Sequence, residues 1–104
     1  MADSPDVIAA TTDQNGRTVV LLGRIWTGKI LRDHPEMHAH LEAVLATVHE
    51  PEHVAADPRD DRLRYYRSHV GPSRWLLVVV SYEQEPARVI TALATRKDPP
   101  SWSA

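Results

Sequence analysis

The sequence predicts an α+β fold in which a β-hairpin and two helices pack on a mainly antiparallel sheet. Three observations predict this class. A tight-turn signal opens the chain, an amphipathic helical pattern follows, and three strand-like runs come last. Because strands and helices are grouped instead of alternating, the class is α+β and not α/β. The predicted order is β-β-α-α-β-β-β in a single domain, residues 1–104, with its core at about 7–97 and loose termini at 1–6 and 98–104.

The hairpin is predicted from two strand-like runs around an Asn-Gly pair. Val7–Thr12 is the first strand and Thr18–Ile25 is the second. Asp13–Gly16 forms the turn between them, because Asn-Gly readily adopts the positive φ angles of tight hairpins. Gly23 indicates a weak point or a bulge in the second strand.

The first helix is predicted to be short and to end before a proline. Trp26–Arg32 spans one or two turns, in which Trp26 and Ile30 share an apolar side. Pro35 disfavours helical dihedral angles at His34, so the helix stops before that residue.

The second helix has a start signal, a stop signal and a core-facing stripe. Asp33–Glu36 has the D-x-x-E form of a capping box, with a proline in the first turn. Pro51 ends the helix at about His49. The stripe predicted to face the core consists of Met37, Leu41, Val44, Leu45 and Val48, and Thr47 falls off it.

Three strands are predicted after a charged loop at Glu52–Asp61, within which His53–Ala55 can pair briefly with a sheet edge. They are Arg62–His69, Trp75–Tyr82 and Arg88–Thr95, and continuous apolarity makes the middle one a central strand covered on both faces. Alternation sorts the side chains of the other two by face. On the first of these strands, one face carries Leu63, Tyr65 and Arg67, and the other face carries Arg62, Arg64, Tyr66 and Ser68. On the last strand, one face carries Val89, Thr91, Leu93 and Thr95, and the other face carries Ile90, Ala92 and Ala94.

The composition excludes several classes of site. There are no cysteines, and therefore no disulfides, thiolate nucleophile or cysteine-based zinc site. Two histidine pairs, His34/His38 and His49/His53, have metal-ligand spacing, but a proline interrupts each pair, so no metal site is predicted. Phosphate-loop, dinucleotide-binding and serine-hydrolase motifs are absent, and no cofactor is expected. Without a signal peptide or a run of about 18 apolar residues, the chain is expected to be soluble and cytoplasmic.

The net charge of −2 conceals an asymmetry along the chain. Residues 1–58 hold four Lys or Arg against nine Asp or Glu, whereas residues 59–97 hold eight against four. A basic C-terminal half could concentrate a polyanion on one face of the domain. The alternative is that these arginines line the solvent side of strands without a binding role.

The remaining candidates indicate acid–base chemistry on a phosphodiester. His34 lies at a strand-to-helix junction, and imidazole is the side-chain group most often used as a base or an acid, so His34 is a candidate for either role. Tyr65 or Tyr66 could donate a proton or stack on a base, and Thr91 could position a phosphate. Each of these residues also has a structural interpretation, as a helix-start or ordinary strand residue. The candidate phosphate ligands are Lys29, Arg32, Arg64, Arg67, Arg96 and Lys97.

Several ordered motifs resemble those of small bacterial and phage domains of the barnase–EndoU–colicin–RelE (BECR) superfamily. They are W-x-x-x-I-L-x-x-H-P-E-M at Trp26–Met37, V-L-A-T-V-x-x-P-x-x-V at Val44–Val54, Y-Y-R at Tyr65–Arg67, L-V-V-V at Leu77–Val80 and I-T-A at Ile90–Ala92. The resemblance covers roughly residues 17–97. It implies helices followed by an antiparallel sheet, and metal-independent RNA cleavage, often by a toxin with an antitoxin partner.

The resemblance also implies a catalytic set, His34, Tyr66, Arg67 and Thr91. The sequence departs from the family at Asp33, where many relatives carry a basic residue. The expected function is therefore a metal-independent ribonuclease acting on RNA. The alternative is a non-catalytic module that binds a partner protein through an exposed edge strand.

Overall fold

The computed structural model describes residues 6–100 and confirms the α+β class. Its strands form one sheet, and its helices pack on one face of that sheet. We call the opposite face of the sheet the outer face. Of the termini predicted to be loose, residues 1–5 and 101–104 lie outside the described residues.

The described part of the chain contains six strands in the order β1-β2-β6-β5-β4-β3. All neighbours are antiparallel except β2 and β6, which are parallel. The strand β5 is central, as predicted, and β3 is a further strand inside the segment predicted as a loop. The bounds are β1 Val7–Thr12, β2 Thr18–Leu22, β3 His53–Ala56, β4 Arg62–Ser68, β5 Trp75–Ser81 and β6 Ala87–Thr95.

The first helix, α1, covers residues 23–33 and starts earlier than predicted. Its middle, Trp26–Ile30, is π-helical between short α-helical ends at Gly23–Ile25 and Leu31–Asp33. The predicted second strand therefore stops at Leu22. A Cβ atom at Gly23 would lie 2.9 Å from Oδ1 of Asp6 and 3.3 Å from Cγ2 of Ile8, so a larger residue here would displace those side chains. The Gly23 N–H donates to the Asp6 carbonyl at 2.7 Å, which turns the chain out of the sheet.

The predicted continuous second helix is wrong, because the chain breaks at His40. Pro35–Ala39 is a 3₁₀ helix, and α2 follows at Leu41–His49. The predicted capping box is also wrong. His34 is the N-cap and its side chain makes no capping bond, while the carboxylate of Asp33 accepts from Arg32 Nε at 3.1 Å.

The break changes which residues of α2 face the core. Val44 and Val48 are buried as predicted, but Leu45 is only half-buried. Thr47, predicted to lie off the stripe, is fully buried. Its hydroxyl donates to the Ala43 carbonyl at 2.7 Å, which satisfies the buried polar group.

A bulge in β6 changes the predicted faces of that strand. Val79 of β5 pairs with Thr91, but the next residue, Val80, pairs with Val89. Val89 therefore faces the helices, together with Ala92, and not the face that carries Thr91. One extra residue in a strand shifts the alternation in this way.

A buried hydrogen-bonded chain connects the hairpin turn to the middle of β4 and to the residue that follows β5. Asp13 is 6% exposed, and its Oδ2 accepts from the Tyr82 hydroxyl at 2.8 Å. The Tyr82 oxygen lies 2.5 Å from the Tyr65 hydroxyl. Because Tyr82 has one proton and gives it to Asp13, Tyr65 must donate to Tyr82. The guanidinium of Arg17 lies 4.8 Å from the centre of the Tyr82 ring.

The chain sets the protonation states of its members. Burial raises the pKa values of the Tyr65 and Tyr82 hydroxyls, which stay protonated. Burial also raises the pKa of Asp13, but hydrogen bonds from the Arg17 backbone, Tyr82 and the Asn15 backbone outweigh it and lower the pKa below 3.8.

We expect Tyr82→Phe to lower the free energy of unfolding by about 2 kcal/mol, since it leaves Oδ2 of Asp13 and the Tyr65 hydroxyl each without a partner. Tyr65→Phe removes only the donor at the end of the hydrogen-bonded chain and should lower the free energy of unfolding by about 1 kcal/mol. Urea unfolding followed by circular dichroism measures both. Equal losses for the two variants would contradict the assignment in which Tyr65 donates to Tyr82 and Tyr82 donates to Asp13.

We expect the stabilising effect of Asp13 to be lost in acid. A carboxyl whose pKa is lower in the folded state stabilises the fold above its unfolded value, 3.8, and loses this effect as pH falls through the folded value. The difference in unfolding free energy between wild type and Asp13→Asn should therefore be largest near neutral pH and become smaller below pH 3.8. Urea unfolding at stepped pH checks this, and a constant difference would contradict it.

Candidate functional site

The structure does not bring the four predicted catalytic residues together. Neighbouring residues of a strand point to opposite faces, so Tyr66 lies on the outer face and Arg67 on the helical side. Thr91 pairs with Val79 and shares the outer face with Tyr66. His34 lies between α1 and the 3₁₀ helix, with Nδ1 3.7 Å from a Glu36 carboxylate oxygen.

Arg67 is engaged at the end of α2. Its Nη1 donates to the Glu50 carbonyl at 2.6 Å and lies 3.6 Å from the carboxylate of the same residue. The last carbonyls of a helix have no partner within the helix, so this contact satisfies one of them. The structure thus gives Arg67 a structural contact.

Arg64 is anchored on the outer face by a carboxylate. Its Nε donates to Oδ1 of Asp57 at 2.7 Å. The pKa of Asp57 is lowered first by the Arg59 backbone N–H and then by Arg64, while Asp57 raises the pKa of Arg64. Both groups stay charged, and the guanidinium is held in a fixed place.

Arg64 and Tyr66 line a cleft of about 260 Å³ on the outer face, which we call the Tyr66 cleft. Leu77, Thr95 and Lys97 also border it. Tyr66 is only 3% exposed. Its ring packs edge-on against His53 and Trp75, with centroids 5.9 and 6.2 Å away.

The end of the described chain closes one side of the Tyr66 cleft. Oδ1 of Asp98 accepts from Trp75 Nε1 at 3.0 Å and from Arg74 at 3.2 Å. Nε2 of His53 lies 3.1 Å from the Pro100 carbonyl, which can only accept, so Nε2 carries a proton. Part of the tail predicted to be loose is therefore fixed on the sheet.

The other predicted phosphate ligands lie on exposed segments. Lys29 and Arg32 are exposed on α1, where Arg32 pairs with Asp33. Arg96 and Lys97 follow β6 and are exposed, and Lys97 borders the Tyr66 cleft. Of these four residues, only Lys97 borders a cleft together with Tyr66 and Arg64.

Sequence reasoning missed two arginines of the outer face, Arg62 and Arg88. Arg62 pairs with Ser81, which pairs with Arg88, so the three side chains form one row across β4, β5 and β6. The alternation of β4 had already placed Arg62 on the face of Arg64 and Tyr66. The alternation was therefore enough to include Arg62 among the candidate ligands of this face. Arg88 could not be included, because the sequence does not show the strand order that places it beside them.

Within residues 6–100, no group of three His, Asp or Glu side chains is arranged to hold a metal ion. No helix in the same range is long and apolar enough to cross a membrane. Comparisons with models of protein families, with curated proteins and with solved structures find no match to this chain.

We expect Arg67→Met to lower the free energy of unfolding by about 1–2 kcal/mol, since it leaves the Glu50 carbonyl without its donor. The matched control is Arg59→Met, at an exposed position whose side chain makes no ion pair among the described residues; it should change stability by less than about 0.5 kcal/mol. Urea unfolding measures both. Equal stability of the two variants would remove the structural role of Arg67.

Proposed function

We propose that this protein binds single-stranded RNA through the outer face of its sheet. The observation that carries the proposal is the Tyr66 cleft, where Arg64 and Lys97 stand beside an aromatic side chain. Guanidinium and ammonium groups bind backbone phosphates, and such contacts supply most of the affinity of non-specific nucleic-acid binding.

The placement of charge supports the outer face over the helical side. Arg62, Arg64, Arg88 and Lys97 all border clefts on the outer face. Arg67 is used on the helical side to hold Glu50. A local cluster of this kind attracts a polyanion even when the net charge of the chain is −2.

The burial of Tyr66 determines the kind of recognition. With 3% of its surface exposed, its ring is covered and does not offer a face on which a base can stack. The contacts in this conformation are therefore to phosphate and sugar, which fix the position of the strand and carry little sequence information.

RNA cleavage, which the family resemblance implies, needs an acid and a base beside the bound strand. His34 and Arg67 do not meet this condition, because the outer face lies across the sheet from them. His53 is a histidine on the outer face, and its ring centroid is 5.9 Å from that of Tyr66. If the protein cleaves RNA on this face, we assign the acid–base role to His53.

We expect the double variant Arg64→Met/Lys97→Met to bind a fluorescein-labelled single-stranded RNA more weakly, in fluorescence anisotropy titrations over a range of salt concentrations. The slope of log K against log salt should become shallower by about 1.4, the value for two lost phosphate contacts on a single strand. The control, Arg24→Met/Arg59→Met, removes the same charge outside the clefts and should keep the wild-type slope.

The same RNA, incubated with and without a chelator and analysed on a gel, tests cleavage. Cleavage that survives the chelator and His34→Ala but is abolished by His53→Ala supports the role assigned to His53. Loss with His34→Ala alone would overturn it. No binding at low salt would overturn the RNA proposal and favour the protein-binding alternative, for which the edge strand β1 exposes Val7 and Ile8.

A further inference from the structure

One buried polar atom on the outer face has no partner. In the described part of the chain, Nε of Arg88 is inaccessible to solvent and makes no hydrogen bond. An unpaired buried donor costs about as much as the hydrogen bond it lacks, and more when the group is charged. Such atoms are rare in native proteins, so the surroundings of this one deserve a closer look.

Arg88 borders a second cleft, of about 170 Å³, which we call the Arg88 cleft. Arg62 and Ser81 border it in the same cross-strand row. Directly opposed residues of neighbouring strands have Cβ atoms about 5 Å apart. The two guanidinium side chains therefore stand on either side of the Ser81 hydroxyl. The remaining lining comes from Glu83, Gln84 and Ile90.

The two arginines of this cleft differ from Arg64 and Arg67 in having no carboxylate partner. Arg64 and Arg67 pair with Asp57 and Glu50. Among residues 6–100, neither Arg62 nor Arg88 forms an ion pair. Two neighbouring cations repel one another, and an anion between them removes this repulsion.

The Ser81 hydroxyl is available as a third donor. Its oxygen accepts the Glu83 backbone N–H at 3.3 Å, which leaves its proton free to donate. Two guanidinium groups and a hydroxyl therefore line one cleft, where all three can donate hydrogen bonds to a single ligand. A carboxylate offers two oxygens in a plane and a single charge, whereas a phosphate offers oxygens in three dimensions and up to two charges.

We propose that the Arg88 cleft is a phosphate-binding site in which Arg62, Ser81 and Arg88 donate to one phosphate group. The site is carried by two arginines that line one cleft beside a serine hydroxyl and have no ion-pair partner among residues 6–100, and it is independent of RNA binding in the Tyr66 cleft. Two sources share its chemistry: a free phosphate or phosphomonoester, and a backbone phosphate of RNA. An RNA strand bound in the Tyr66 cleft can place a backbone phosphate in the Arg88 cleft, because Arg62 and Arg64 are about 6.6 Å apart along β4.

Glu83 provides an internal test of the assignment. It is an exposed carboxylate in the lining of the cleft, and its charge opposes that of the incoming anion. Glu83→Gln should therefore tighten phosphate binding. The same change should have no such effect if the cleft does not take an anion.

The experiment is a titration of the full chain with inorganic phosphate at constant ionic strength, followed by ¹H–¹⁵N spectra of the arginine Nε–H groups. We expect a saturable shift of the Arg88 resonance and a much smaller response to acetate. Arg88→Met and, separately, Arg62→Met should weaken binding at least about tenfold, whereas Arg59→Met should leave it unchanged. The Arg62 variant keeps the test valid if Arg88→Met fails to fold.

A second arm uses the same short RNA with a 5′-phosphate and with a 5′-hydroxyl. A preference for the 5′-phosphate that Arg62→Met removes identifies a monoester site, and equal weakening of both RNAs identifies a backbone site. Phosphate binding without RNA binding would leave this site standing and overturn the RNA proposal. No saturable shift with phosphate, or a wild-type affinity in both arginine variants, would overturn the site itself.

Discussion

The parallel pairing of β2 with β6 is the contact on which the rest of the structure depends. It joins the N-terminal hairpin to the antiparallel strands of the C-terminal half, yet it pairs only Val19 with Ala87 and Val20 with Arg88. A ladder this short contributes few hydrogen bonds. The buried hydrogen bonds from Tyr65 to Tyr82 and from Tyr82 to Asp13 therefore form a second connection between the same two halves. It is polar, and so it works only while every member keeps its partner.

The same pairing builds the outer face. Because β6 is held between β2 and β5, Arg88 at its start stands level with Ser81 and Arg62. The helices cover the opposite face, where the apolar side chains of β5 and β6 meet those of α1 and α2. A single sheet thus separates two kinds of chemistry: a packed apolar core on one side and polar clefts on the other.

Much of this architecture was accessible from the sequence, because hydrophobic patterns report which face of an element is buried. The faces of β4 and the central place of β5 followed from alternation and from continuous apolarity. The bulge opposite Val79 and the break at His40 did not follow, because neither place carries a glycine or proline that would indicate an irregularity. The strand β3 was expected only as a brief pairing of His53–Ala55 with a sheet edge, because a segment of four residues is too short to show a clear alternation.

The candidate site shows a different limit. Alternation had already placed Tyr66 and Arg67 on opposite faces of β4, so grouping them in one site conflicted with the pattern itself. The choice of arginines met a different limit: a sequence shows how many cations a chain has, but not which of them the folded protein already uses. Arg67 is held by Glu50, whereas Nε of Arg88 has no hydrogen-bond partner in the described chain. A cation that lines a cleft without a carboxylate partner, and that has a buried donor atom without a hydrogen bond, is a stronger indication of a ligand than a cation in a familiar motif, because ligand binding would compensate its unpaired charge.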